Sequence, residues 1–102
     1  MEKFILYVGL NDKDTKVQKI NTLEAYKIVN NIVMQYTNGA TIYEANGIYK
    51  HNDGKIVIEK TLRIELMFID REVVNKIIDI LKRVLNQESI VLQIEKINSE
   101  LV

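Results

Sequence analysis

Two glutamates, one histidine and a short polar block are the residues of this chain with chemistry to offer. Glu59 and Glu88 could divide acid and base roles, because two carboxylates in unequal environments can hold unequal pKa values. Their spacing fixes no separation, and surface glutamates are the usual case, so an acid–base enzyme is the less favoured reading. His51 is the only histidine and there is no cysteine, which removes thiol nucleophiles, disulfide frameworks and Cys- or His-cluster metal sites together. Asp12-Lys13-Asp14-Thr15-Lys16 opens like a calcium loop. Its sixth position is Val17 and its twelfth Leu23, where glycine and glutamate are required, so no metal is expected there. No cofactor is implied.

Binding is a better prospect than catalysis. If the elements fold as set out below, polar residues from separate segments meet at one end of a sheet. Asn11, Asp12 and Asp14 follow the first strand, and Gln87, Glu88 and Ser89 precede the last. Tyr49 and His51 sit near a hairpin tip, with Glu59 further down its return arm. The start of the first helix adds free N–H groups that favour an anion. Asn11, Asp12, Tyr49, Glu59, Gln87, Glu88 and Ser89 are therefore the candidate ligand-binding set, with a small anionic ligand as its partner.

The element that must position them is one long β-hairpin. Ala40 to His51 runs out, Asn52-Asp53-Gly54 turns, and Lys55 to Ile69 returns. Both arms are rich in β-branched and aromatic residues, and Asp-Gly between such runs signals a hairpin. On the return arm Leu62, Ile64, Leu66 and Phe68 alternate with Arg63, Glu65 and Met67, the period of a half-buried strand. Gly47 in the outgoing arm calls for a bulge or for close packing, most simply under a helix.

Phe4 to Leu10 is an unbroken apolar run, the pattern of a central strand. Residues 11–21 are polar and form a loop. Asn21 and Glu24 have capping-box spacing and open a helix over Leu23 to Tyr36. Tyr26, Val29, Val33 and Tyr36, widened by Ile28 and Ile32, give it an apolar stripe, and Gly39 is expected to end it in a left-handed conformation. Asp70 caps a second helix whose buried face runs from Val73 to Leu85. Ser89 to Lys96 is a last strand, with Ile90, Leu92 and Ile94 facing inward.

At 102 residues the chain is one domain. The order strand, helix, strand, strand, helix, strand, with right-handed crossovers, predicts a ferredoxin-like split β-α-β sandwich. Two helices cover one face of an antiparallel four-stranded sheet ordered 4-1-3-2. The other face is left open, and parity places Ile5, Tyr7, Arg63, Glu65, Met67, Val91 and Gln93 on it, with Ile42, Glu44, Asn46 and Ile48 from the second strand. An apolar centre with a charged rim there predicts a homodimer.

Four stretches resemble an uncharacterised bacterial family, a domain of unknown function whose members are often exported or lipoprotein-like. Leu6-Tyr7-Val8-Gly9-Leu10 stands where that family has Leu-Tyr-Phe-Gly-Leu. Thr41-Ile42 through Gly47-Ile48-Tyr49 is similar to its Thr-Val strand, Asp53-Gly54 and Glu59 to its turn and later glutamate, and Asn86 to Leu92 to its Gly-Gln-Glu-Ser-Val-Leu block. Asn86 replaces the family's glycine, and Lys60 its usual proline. The resemblance implies the fold and assigns no activity.

Acidic and basic residues balance, 14 against 14, so no global field gathers nucleic acid or anionic lipid. No export signal or membrane-length run is evident, so the expected location is cytoplasmic. The expectation is a non-catalytic protein that binds or sequesters a small ligand, with nucleotide-type signals suggested by analogy of fold alone, and acts as a homo-oligomer. The alternative is a module that docks a partner protein through its sheet face or edge.

Overall fold

Gly54, at φ 86°, closes the hairpin and sets the register of everything beyond it. The His51 N–H donates to the Lys55 carbonyl and the Gly54 N–H to the His51 carbonyl, both at 2.9 Å, so Asn52-Asp53-Gly54 is a three-residue loop with glycine in its left-handed position. The computed structural model describes residues 1–102. It contains β1 (Glu2–Gly9), α1 (Thr22–Tyr36), β2 (Thr41–Lys50), β3 (Ile56–Leu66), α2 (Arg71–Val84) and β4 (Val91–Lys96). The strands form one antiparallel sheet ordered β2-β3-β1-β4, the ferredoxin-like arrangement expected.

Fifteen buried residues form the core between that sheet and both helices. β1 gives Phe4, Leu6 and Val8, and β3 gives Leu62, Ile64 and Leu66; α1 gives Ala25, Val29, Ile32 and Val33, and α2 gives Val74, Ile77 and Leu81. The central strands thus supply the sheet side of the core. β4 is an edge strand bonded only to β1, so Ile90 and Leu92 are only partly buried and Ile94 is 40 % exposed, against the expectation that all three would be covered.

Other expectations are corrected. β2 faces the opposite way from the assigned parity: Ile42 pairs with Ile64 and Glu44 with Leu62, which puts Ile42, Glu44, Asn46 and Ile48 on the helix side. Tyr43, Ala45, Gly47 and Tyr49 therefore occupy the open face. Gly47 lies in an uninterrupted ladder opposite Glu59, so it neither makes a bulge nor packs under a helix. β3 ends at Leu66; Phe68 adopts φ 58° in the turn into α2 and is exposed instead of continuing the inward series.

The helix ends also differ in detail. Asn21 caps α1 as expected, its Oδ1 accepting the Glu24 N–H at 2.9 Å. Its buried stripe is set by Ala25, at i, i+4, i+7 and i+8 with Val29, Ile32 and Val33, which rotates Tyr26 and Tyr36 off the core to 40 % and 38 % exposure. The helix stops where Thr37 becomes extended, and Gly39 takes no left-handed angle. Asp70 holds the cap position of α2 without a side-chain bond to the helix. α2 closes with a Schellman motif: the Gln87 N–H donates to the Lys82 carbonyl at 2.8 Å, and Asn86 takes φ 49°.

Candidate functional site

A cavity of about 520 Å³ opens on the helix-free face of the sheet, where the hairpin passes the β1–α1 loop and the start of β4. Its existence follows from side-chain size. Gly9 on β1 pairs with Thr61 on β3, which pairs in turn with Ala45 on β2, and Gly47 pairs with Glu59. Of these, Gly9, Thr61 and Glu59 line the cavity, and the missing side chain of Gly9 leaves a depression in the layer on this face. Tyr7, Tyr49 and Val91 stand around it.

Glu59 enters this depression. Its Oε2 accepts the Asn11 N–H at 2.8 Å, and its carboxyl group lies over Gly9. A Cβ on Gly9 would come within 2.5 Å of Glu59 Cδ and Oε1, so only glycine admits the carboxylate. A Cβ on Gly47 would meet Thr61 Oγ1 at 3.2 Å. Tyr49 packs edge-on against His51, with ring centroids 5.4 Å apart at 82°. Burial, and then the charge of Glu59, raise the Tyr49 phenol above its ordinary pKa of 10.0.

The seven residues singled out as ligand-binding, Asn11, Asp12, Tyr49, Glu59, Gln87, Glu88 and Ser89, all line this cavity, as does His51. Two of them are occupied in holding its wall. Asp12 Oδ1 accepts from Asn86 Nδ2 at 2.8 Å, and Oδ2 accepts the N–H groups of Asp14 and Thr15 at 3.0 Å. Gln87 Nε2 donates to the Asn11 carbonyl at 2.8 Å. These bonds clip the β1–α1 loop to the α2–β4 turn. Asn86 does two jobs that glycine could not combine, taking the left-handed angle and bonding both Asp12 and Asp14.

The start of α1, expected beside the ligand, is not part of the lining. The residues missed were Tyr7, Gly9, Lys13, Lys16, Val57, Thr61 and Val91. Strand parity was the available signal, because it groups Gly9, Gly47 and Glu59 on one face once the register is known.

The Asn86 hydrogen bond, followed by the Thr15 and Asp14 backbone bonds, outweighs burial and lowers the Asp12 pKa from 3.8 to about 2. A depressed folded-state value means that Asp12 stabilises the fold fully above its unfolded pKa, and that this contribution is lost as pH falls from 3.8 through about 2. Carboxyl-carbon NMR titration of Asn86→Gly, which keeps the left-handed angle and removes the bonds, should return Asp12 toward its ordinary value. An unchanged midpoint would assign the shift to the backbone donors instead.

Beyond the cavity the open face is polar. Glu65 accepts from the Tyr43 hydroxyl at 3.0 Å and pairs with Arg63 at 3.0 Å and Lys3 at 3.3 Å. The Arg63 guanidinium lies 5.4 Å from the ring centroids of both Tyr7 and Tyr43, within cation–π range. Burial acts to raise the Glu65 pKa, but Tyr43, Lys3 and Arg63 together hold it below the ordinary value. Of the residues assigned to a dimer interface, Ile5 is already fully buried within one chain, while Tyr7, Arg63, Glu65 and Met67 are half-buried and Val91 and Gln93 exposed.

Fold and site together define a small ferredoxin-like α+β domain with a polar cavity on its open sheet face. The chain belongs to the family described as protein of unknown function DUF3574, whose model matches residues 3–100, as the resemblance of its motifs implied. A search of curated proteins finds no match. Among solved structures it is similar to a phage SAM lyase in complex with S-methyl-5'-thioadenosine, at 20 % identity and TM-score 0.65, over 93 % of this chain and 80 % of that one. The periplasmic divalent cation tolerance protein CutA from Archaeoglobus fulgidus is similar at 14 % identity and TM-score 0.65, over 99 % and 88 % of the two chains. CutA1 from Oryza sativa matches at 17 % identity and TM-score 0.57, over 97 % and 84 %. At these identities the likeness is one of fold. No helix is long and apolar enough to cross a membrane.

Proposed function

We propose that this protein binds a small nucleoside-type ligand in the open-face cavity, without chemistry, and works as a homo-oligomer. The observation that carries the reading is the Glu59 cradle: a glycine kept bare so that a carboxylate can lie on the cavity floor, with aromatic side chains beside it. Lys13 and Lys16 line the same cavity and suit an anionic group on the ligand. A structural neighbour that holds S-methyl-5'-thioadenosine makes adenosine compounds the first to try.

Thermal melts with adenosine, S-methyl-5'-thioadenosine and adenine nucleotides test this. A compound at ten times its Kd stabilises the native state by about 1.4 kcal/mol, a rise of roughly 5–10 °C for a domain of this size. Tyr49→Ala should lose the rise while melting as a folded protein on its own. No rise with any of these compounds overturns the nucleoside reading.

Self-association through the open face would enclose the cavity between copies, because Tyr7 and Val91 belong both to its wall and to the face. Light scattering after size exclusion should then report a multiple of the chain mass. A second reading rests on the far half of the hairpin, where Ile48, Ile56 and Ile58 are each about two-thirds exposed on its helix-side surface, at 70 %, 67 % and 68 %. That patch favours a docked protein partner instead of a small ligand.

A further inference from the structure

The Glu59 carboxylate is a charge without a counter-charge. Both ion pairs in the molecule belong to Glu65, with Lys3 and Arg63. Glu59 is half-buried and receives one hydrogen bond, from the Asn11 N–H to Oε2. Lys13 and Lys16 line the cavity, yet neither comes within ion-pair distance of it. A carboxylate drawn out of bulk water keeps its charge at a cost unless something opposes it.

The surroundings state what kind of charge fits. Gly9 makes room for the carboxylate itself, and Tyr49 lines the same cavity, as does Tyr7, whose ring already has the Arg63 guanidinium 5.4 Å from its centroid. Aromatic faces attract a cation, most strongly one that has shed its water. A hydrated metal ion needs several oxygen ligands, and no group of three metal-ligating side chains is present. An alkylated cation needs only one carboxylate and aromatic surface.

We infer that Glu59 is the binding point for a compact organic cation, a sulfonium or quaternary ammonium centre, carried by the ligand of this cavity. The inference deepens the binding reading above and rests on it for the rest of the ligand. With Lys13 and Lys16 at the same cavity, the ligand is dipolar: its cationic centre lies at Glu59, and an anionic group meets the lysines. The raised pKa of Tyr49, caused by burial and then by Glu59, fits a carboxylate whose field is felt across a partly desolvated space.

Two measurements test it. In calorimetry, S-adenosylmethionine, a sulfonium, should bind at least about 10-fold more tightly than S-adenosylhomocysteine, its uncharged thioether counterpart. Glu59→Gln should bring the two to the same affinity, because glutamine can still accept the Asn11 N–H but carries no charge. In amide NMR, trimethylsulfonium should shift the Asn11 signal of the wild type and not of Glu59→Gln, while dimethyl sulfoxide at matched ionic strength should shift neither. Equal binding of the two adenosyl compounds overturns the cation assignment and leaves the cavity reading in place. An Asn11 shift by trimethylsulfonium with no binding of either adenosyl compound supports the cation assignment and overturns the nucleoside reading. No Asn11 shift in the wild type overturns the assignment.

Discussion

Ile64→Ala lowers the unfolding free energy by about 2–5 kcal/mol, a large share of the stability of a domain this size. Ile64 is fully buried on a central strand, paired with Leu6 on one side and Ile42 on the other, beneath both helices. Removing three carbons there leaves a hole that a sheet bonded on both sides cannot close. Ile94→Ala provides the comparison within the same sheet. At 40 % exposure on an edge strand, Ile94 loses packing on one side only, and its truncation should cost well under half as much. Denaturant melts of the two variants read the difference. Equal costs would mean that the helices cover β4 as fully as β3.

Gly9→Ala weakens ligand binding by about 10- to 100-fold while leaving the protein folded. The added methyl would meet the Glu59 carboxyl group at 2.5 Å, and the carboxylate is the end of a flexible side chain that can swing away. The fold therefore loses only the Asn11 bond, and the cavity loses its charge and part of its volume. Loss of one charged contact costs roughly 1.5–3 kcal/mol, or about 10- to 100-fold in affinity. Calorimetry with whichever adenosine compound raises the melting point of the wild type measures this. The amide NMR spectrum should show the Asn11 signal displaced and the core unchanged. Undiminished affinity would show that the ligand does not use Glu59.

The two variants differ in how the surrounding structure can respond. At Ile64 the neighbours are backbone-anchored and bonded into the ladder, so the cost falls on stability. At Gly9 the neighbour is a mobile carboxylate, so the cost falls on binding. At Asn86, too, local geometry decides what the position can hold. Its angle is tolerable to asparagine, and its side chain returns two bonds to Asp12 and Asp14.

Local rules were enough for the order of elements and for much of the core. Alternation through Leu62, Ile64 and Leu66 marked β3, the Asn21–Glu24 spacing marked the start of α1, and Asp53-Gly54 marked the turn. Each depends on residues a few positions apart. The orientation of β2 depended on one further count: three loop residues place His51 opposite Lys55, and hence Ile42 opposite Ile64 on the core side. An error of one position there turns every side chain of the strand to the other face. That count was legible in the turn.

Other features were decided only in three dimensions. Whether Ile94 is covered depends on where two helices come to rest, and whether Tyr26 is buried depends on the rotation of α1 about Ala25. Ile5 is buried on the face left open by the helices, between Glu65 and Gln93 of the flanking strands, although nothing in its own neighbourhood of sequence distinguishes it from Tyr7. The cavity is the clearest case. Gly9 and Glu59 are remote in the chain, and the site they make appears only when the pairing of β1 with β3 brings one bare glycine beneath a carboxylate. Sequence fixes which residues are small or charged; the pairing of distant strands decides which of them meet.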